Sequence, residues 1–318
     1  MIKILSFNKN HIKQAREIAL ANYNEERSIV ESLPRIDTIS AVAFEGFVDN
    51  GLGVAMFDGE KMLGFLCCDD PWGNAFGTSA NGTFAPIHAH GAISENRSEI
   101  YKRLYQAAAE IWVDKGINYH AISVYTHNSQ AVDAFFSCGF GLRCVDAIRP
   151  LINFEHSDCE GIIFEELTKM DVAKVREMRN ALSIHLGKSP CFMRLSLADR
   201  ESWIARAEAR DSRVFATLDN GKAIAFIEVT DDGENFATWD EGVQNICGAF
   251  CLPEYRGKGM MQGLLNHVIT QLKADVDINS LGVDFESFNL SSNGFWLKYF
   301  TAYTSTVTRR IDECALCD

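Results

Sequence analysis

Arg256-Gly257-Lys258-Gly259 sets two cations and two glycines directly ahead of a run in which Met260, Leu264, Leu265, Val268, Ile269 and Leu272 return at helical spacing. The first turn of a helix exposes unpaired N–H groups and about half a positive charge. Glycines let an anion reach that backbone with no Cβ in the way, so the chemistry on offer is the grip of a phosphate. The residues exclude a nucleotide P-loop, because Lys258 is followed by Gly259 and Met260 and not by a hydroxyl that could serve magnesium. Upstream, Gln244 to Leu252 is an apolar run of strand length that stops at Pro253, which cannot donate to a sheet ladder. The predicted order is strand, turn, glycine loop, helix.

The rest of the chain must position that loop. Its 318 residues suffice for two cores of about 150 residues each. A net charge of −13 disfavours nonspecific binding to nucleic acid or anionic membrane, so an anionic partner must find a local positive site. No apolar run approaches the ~20 residues of a membrane span, and MIKILSFNKNHIKQ lacks the apolar core of a signal peptide, from which we expect a cytoplasmic protein. Of the ten cysteines, Cys67, Cys138, Cys247 and Cys251 lie in apolar runs and read as reduced core thiols. Cys314-x-x-Cys317 has redox or zinc spacing but no second such pair, and reads as an exposed tail. His88 and His90 alternate on a strand without a third ligand; no metal is assigned.

The chain also repeats itself. VAMFDGEKMLGFLCC from Val54 and FATLDNGKAIAFIEV from Phe215 are both hairpin patterns, and their turn aspartates, Asp58 and Asp219, stand 161 residues apart. Asn128 and Asn289, each after a strand-like stretch, keep the same offset. It also brings Leu104, Ala107, Ala108 and Ile111 onto Leu265, Val268, Ile269 and Leu272. The fold class that follows is α/β, a duplicated mixed sheet flanked by helices, with two domains in tandem joined by a polar linker near residues 153–160. Helices are expected around residues 11–31 and 170–185.

At the motif level the second half resembles the GNAT superfamily of acetyl-CoA-dependent N-acetyltransferases. The family's phosphate loop, Q/R-x-x-G-x-G/A, reads Arg256-Gly257-Lys258-Gly259-Met260-Met261 here, with Met261 where Gly or Ala is usual. The family's later Asn-x-x-Ala-x-x-Phe-Tyr pattern reads Asn289, Ser292, Phe295, Trp296, so an indole stands where a phenol often protonates the departing thiolate. The resemblance implies acetyl-CoA as cosubstrate without a metal, and a small-molecule or peptide amine as acceptor. It implies a cofactor site of Ala249, Phe250 and Cys251, the loop from Arg256 to Met261 including Lys258 and Gly259, Asn289 and Trp296. Asp284 and Glu286 are candidates for accepting the ammonium proton, with Glu228 and Glu241 behind them. Tyr299, with Tyr303 behind it, is a candidate for the missing phenol.

Shifted back by 161, the loop becomes Glu95-Asn96-Arg97-Ser98-Glu99-Ile100, where the glycines are gone and two carboxylates stand at the helix start and repel a pyrophosphate. Arg97 beside a glutamate reads as a solvated pair. Residues 1–155 are therefore expected to form a degenerate GNAT-like domain without a phosphate loop, and 160–318 a GNAT domain with the acetyl-CoA site. The other reading is a non-catalytic acyl-CoA-binding sensor or structural module.

Overall fold

The computed structural model describes residues 1–156 and 160–316. The chain divides into two compact units, Met1–Asp146 with Ala302–Asp318, and Ala147–Thr301.

The first unit runs β1 (Ile2–Ser6), α1 (Ile12–Arg27), α2 (Glu45–Asp49), β2 (Val54–Asp58), β3 (Lys61–Leu66), β4 (Gly82–Ala85), β5 (His90–Ala92), α3 (Arg97–Asp114), β6 (Tyr119–Tyr125), α4 (Ser129–Ser137) and the start of β7 (Gly141–Pro150). The second runs β8 (Ile162–Glu166), α5 (Arg176–Leu186), α6 (Leu197–Ala209), β9 (Arg213–Asp219), β10 (Lys222–Thr230), β11 (Val243–Cys251), α7 (Met260–Leu272), β12 (Ser280–Glu286) and α8 (Leu290–Tyr299). A last strand, β13 (Thr301–Arg310), returns the chain to the first unit.

The offset of 161 holds residue for residue at the centre: β6 starts at 119 and ends at 125, β12 starts at 280 and ends at 286. Both hairpins form, β2 with β3 and β9 with β10. Asn220 and Gly221 join the second at φ 48° and 78°, the left-handed pair that a two-residue hairpin turn requires. The stripe from Met260 to Leu272 is the buried face of α7, as its 3.6-residue spacing demands.

Each copy contains a parallel pair that stops early. Val243 to Ile246 of β11 pair with Ser280 to Val283 of β12, and Gly82 to Ala85 of β4 pair in the same register with Tyr119 to Ile122 of β6. Past this point β11 slips register against β10 between Glu228 and Val229, a bulge that skips Cys247. In the first copy Pro86 occupies the position 161 residues before Cys247, and the strand breaks there into β4 and β5. One continuous long strand is expected from the sequence; proline, with no N–H to donate, divides it.

The unit boundaries also differ from 1–155 and 160–318. Thr304 to Arg310 pair antiparallel with Tyr125 to Tyr119, and Ile311 N–H donates to the Asn118 carbonyl. Tyr303, Thr304 and Val307 are buried, and Thr304 Oγ1 donates to Asp146 at 2.5 Å. Strand periodicity marks Thr301–Arg310 as a strand but carries no record of which sheet it joins. Asn153 and Phe154, read as linker, are fastened to α7: Asn153 Nδ2 donates to Thr270 Oγ1 at 2.8 Å and Phe154 N–H to Asn266 Oδ1 at 3.1 Å. Within that stretch Ser157 to Cys159 lie outside the described residues, as does Cys317 of the Cys-x-x-Cys pair. Cys314 is exposed, and the eight described cysteines are free thiols.

Candidate functional site

Where β11 and β12 part, β11 runs on for five residues to Cys251, still paired with β10 on its other side, and β12 for three to Glu286. Strand edges that stop pairing with each other offer backbone N–H and C=O groups to a guest. A cavity of about 280 Å³ opens there, walled by Ala249, Phe250 and Cys251 of β11, the turn from Tyr255 to Gly257, and the first turns of α7 and α8.

The glycine loop folds as its residues dictate. A short turn at Pro253–Tyr255 leads through Arg256 to Gly257 at φ 73° and Gly259 at φ 85°, a region that side chains with a Cβ rarely enter. Gly259 caps α7 without a side-chain hydrogen bond, so the first N–H groups of the helix receive no internal cap. Arg256 Nε donates to the Cys251 carbonyl at 3.0 Å, and its guanidinium lies 5.3 Å from the Phe250 ring centre. The side chain is thereby braced along the cavity wall. Tyr255 Oη donates to Asp219 at 2.8 Å and fixes the turn to the β9–β10 hairpin. Burial pushes the Cys251 thiol up to about 11, so it faces the cavity as a neutral group. Among the described residues that line it, Arg256 supplies a fixed positive charge and no carboxylate opposes it.

At the other end Asn289 caps α8, its Oδ1 3.2 Å from His185 Nε2 and 3.2 Å from Ser291 Oγ. Trp296, 4% exposed, packs edge-on to Phe295 and Phe300 beneath the cavity. The structure thus brings together Ala249, Phe250, Cys251, Arg256, Gly257, Met260, Met261, Asn289 and Trp296; Lys258 and Gly259 stand in the loop but do not line the cavity. His185 of α5 is a lining residue that sequence reasoning missed. A single histidine on an amphipathic helix gives no signal until the face packed on β11 is known.

The candidates for proton transfer lie outside the cavity. Asp284 and Glu286 project from one face of β12, just past its last residue paired with β11, while Val283 and Phe285 are buried. Tyr299 stacks on Phe154, ring centres 4.6 Å apart. Tyr303 is buried in the first unit, and Glu241 is exposed in the turn before β11. Glu228, a candidate acceptor from the sequence, is 2% exposed. It accepts from Arg179 Nη2 at 2.9 Å and Ser212 Oγ at 2.8 Å, which makes it an internal ion pair. Arg97 requires a similar correction: it is buried, with both terminal nitrogens on Glu25, because α1 places that carboxylate against the start of α3.

Residues 180–300 match the acetyltransferase (GNAT) family. Among solved structures, the GCN5-related N-acetyltransferase from Sphaerobacter thermophilus is 12% identical with a TM-score of 0.58, covering 97% of this chain and 95% of that one. A glucosamine N-acetyltransferase region of a fungal multi-domain GH3 β-N-acetylglucosaminidase is 13% identical with a TM-score of 0.52, covering 97% of this chain and 38% of that one. A tandem GNAT protein from the clavulanic acid biosynthesis pathway is 12% identical with a TM-score of 0.47, each chain covered to 98%. No curated protein matches the sequence.

Proposed function

With residues 180–300 a domain of the acetyltransferase (GNAT) family, we propose that the second unit transfers the acetyl group of acetyl-CoA to a primary amine of a small molecule or peptide. One observation carries the reading: an uncapped helix start behind two left-handed glycines and a braced arginine, opening on a cavity whose described lining holds no carboxylate. The loop N–H groups and Arg256 would hold the pyrophosphate, and the free edge of β11 from Cys247 to Cys251 the pantetheine arm. The bound thioester supplies the activated acyl group. The chain's own work is to align it, exclude water and aim backbone N–H groups of β11 at the carbonyl oxygen.

The attacking ammonium must first lose a proton. Asp284 and Glu286 stand nearest the divergence of β11 and β12, which puts them ahead of the ion-paired Glu228 and of Glu241 as acceptors. The acyl-CoA-binding sensor has one observation in its favour, the buried Trp296 at the position of the usual phenol, since an indole N–H cannot usefully protonate a thiolate.

Calorimetric titration of acetyl-CoA tests the site. Gly259→Glu, which adds a carboxylate and a Cβ at φ 85°, should weaken binding by about 100-fold or more. Asn96→Gly at the matching cap of α3 should leave it unchanged. Equal losses from both would refute the assignment. Release of free thiol on adding a panel of primary amines then separates enzyme from sensor.

A further inference from the structure

The first unit has a cavity of its own, about 190 Å³, where the 161-residue offset places the cleft of the second: Asn128 and Gln130 line it as Asn289 and Ser291 line the other. Its walls reverse the charge. Glu25 and Glu26 from α1 face it with Arg97, and those three side chains sum to one net negative charge. Arg97 is already committed, to Glu25 through Nη1 and Nη2 at 2.6 and 2.9 Å and to the Ile93 carbonyl through Nε. The Glu26 carboxylate is 2% exposed and oriented by His127, whose Nδ1 and backbone N–H donate to it at 2.6 and 3.2 Å.

Beside them Tyr125 lines the cavity from a side chain only 4% exposed, and its buried hydroxyl has no hydrogen-bond partner. A buried hydroxyl left unmatched is destabilising, so its retention points to a partner from outside the fold. Glu26 is among the charges that bear on the Tyr125 ring, which places the two groups in one another's field.

We propose that this cavity binds the primary ammonium of a small organic amine, the cation donating to Glu26 and Tyr125 Oη while its alkyl stem lies along Ile29. The volume equals about six waters at roughly 30 Å³ each, enough for an alkylamine of five or so heavy atoms. Coenzyme A is the wrong guest, because Glu99 occupies the first turn of α3 and two further carboxylates line the walls. This site is independent of the acetyl-CoA reading of the second unit.

The test is titration of the full chain with n-butylamine, followed through the His127 imidazole resonance, which is assigned with His127→Gln. We expect a saturable shift in the millimolar range. Glu26→Gln should abolish it, Tyr125→Phe should weaken binding about tenfold, as for loss of one hydrogen bond to a charged group, and Gly259→Glu should leave it unchanged. Tyr125→Phe keeps the ring and guards against a Glu26 variant that fails to fold. No saturable shift, an affinity unmoved by Tyr125→Phe, or an equal response to butyrate or coenzyme A would overturn the proposal.

Discussion

Arg256 and Lys258 carry the same charge two residues apart, yet the fold gives them different work. Arg256 is tied to the Cys251 carbonyl and the Phe250 ring and lines the cavity. The Lys258 ammonium sits 5.6 Å from the centre of the Tyr255 ring and does not line it. A charged hydrogen bond lost from a braced donor is worth about 1.5–3 kcal/mol, so Arg256→Ala should raise the acetyl-CoA Kd by about tenfold or more. Lys258→Ala should raise it by less than about threefold, since a cation outside the cavity lining acts on the guest through a screened field. Calorimetry reads both, and a larger effect at Lys258 would reverse the assignment of roles. Sequence spacing made the loop legible because glycine and cation types are themselves the chemistry. It left the two cations equivalent and His185 invisible, because side-chain direction is set by packing that no local spacing encodes.

At the level of elements, the repeat was legible because hairpin turns, buried strands and helix stripes each leave a period, and three such signals share one offset. The consequence of Pro86 was legible only with its neighbours: the pairing is interrupted by a proline in one copy and by a bulge at Cys247 in the other. What positions the glycine loop is α7, and its seat against β8 depends on Gly263. A Cβ there would meet Phe164 Cζ at 2.3 Å. Alanine inside a helix gains about 1 kcal/mol over glycine, while overpacking costs about 1–3 kcal/mol. Gly263→Ala should therefore destabilise the second unit by about 1 kcal/mol and weaken acetyl-CoA binding by shifting the helix start. In a Phe164→Ala background the same change should become stabilising, because the obstructing ring is gone. Urea unfolding of the four proteins measures the coupling, and the absence of a sign change would show that the ring yields without moving α7.

Across the whole molecule, chain order and spatial order part company at the last strand, which follows α8 in sequence but pairs with β6 in the first unit. That unit also holds three buried imidazoles: burial drives His88, His90 and His120 down to about 4. In two of them both ring nitrogens are hydrogen-bonded within the core. His90 Nε2 donates to the Ser123 carbonyl at 2.6 Å and Nδ1 accepts from Tyr101 Oη at 3.1 Å; His120 makes the matching pair with Ile117 and Tyr105. Burial disfavours a charged ring at both sites. Between the ordinary value of 6.5 and about 4 the unfolded chain binds more protons at these sites than the folded one, so stability rises with pH and is lost as pH falls through that window, by up to about 3 kcal/mol per ring. Asp69, raised to about 6 by burial and the neighbouring Asp70, and Glu26, raised by burial, act in the opposite sense and offset part of the loss. In the second unit His267 is lowered by burial. Acidification from pH 6.5 to 4 should therefore unfold the first unit before the second. Amide exchange protection should disappear together from Tyr119–Tyr125 and Thr304–Arg310, whose paired residues lie 179 to 191 apart in sequence, while Val243–Ile246 and Ser280–Val283 stay protected. Replacing His120 by asparagine should flatten the acid slope by about one imidazole's share. Protection lost first from β11 and β12, or a slope indifferent to His120, would refute the assignment of acid sensitivity to these rings.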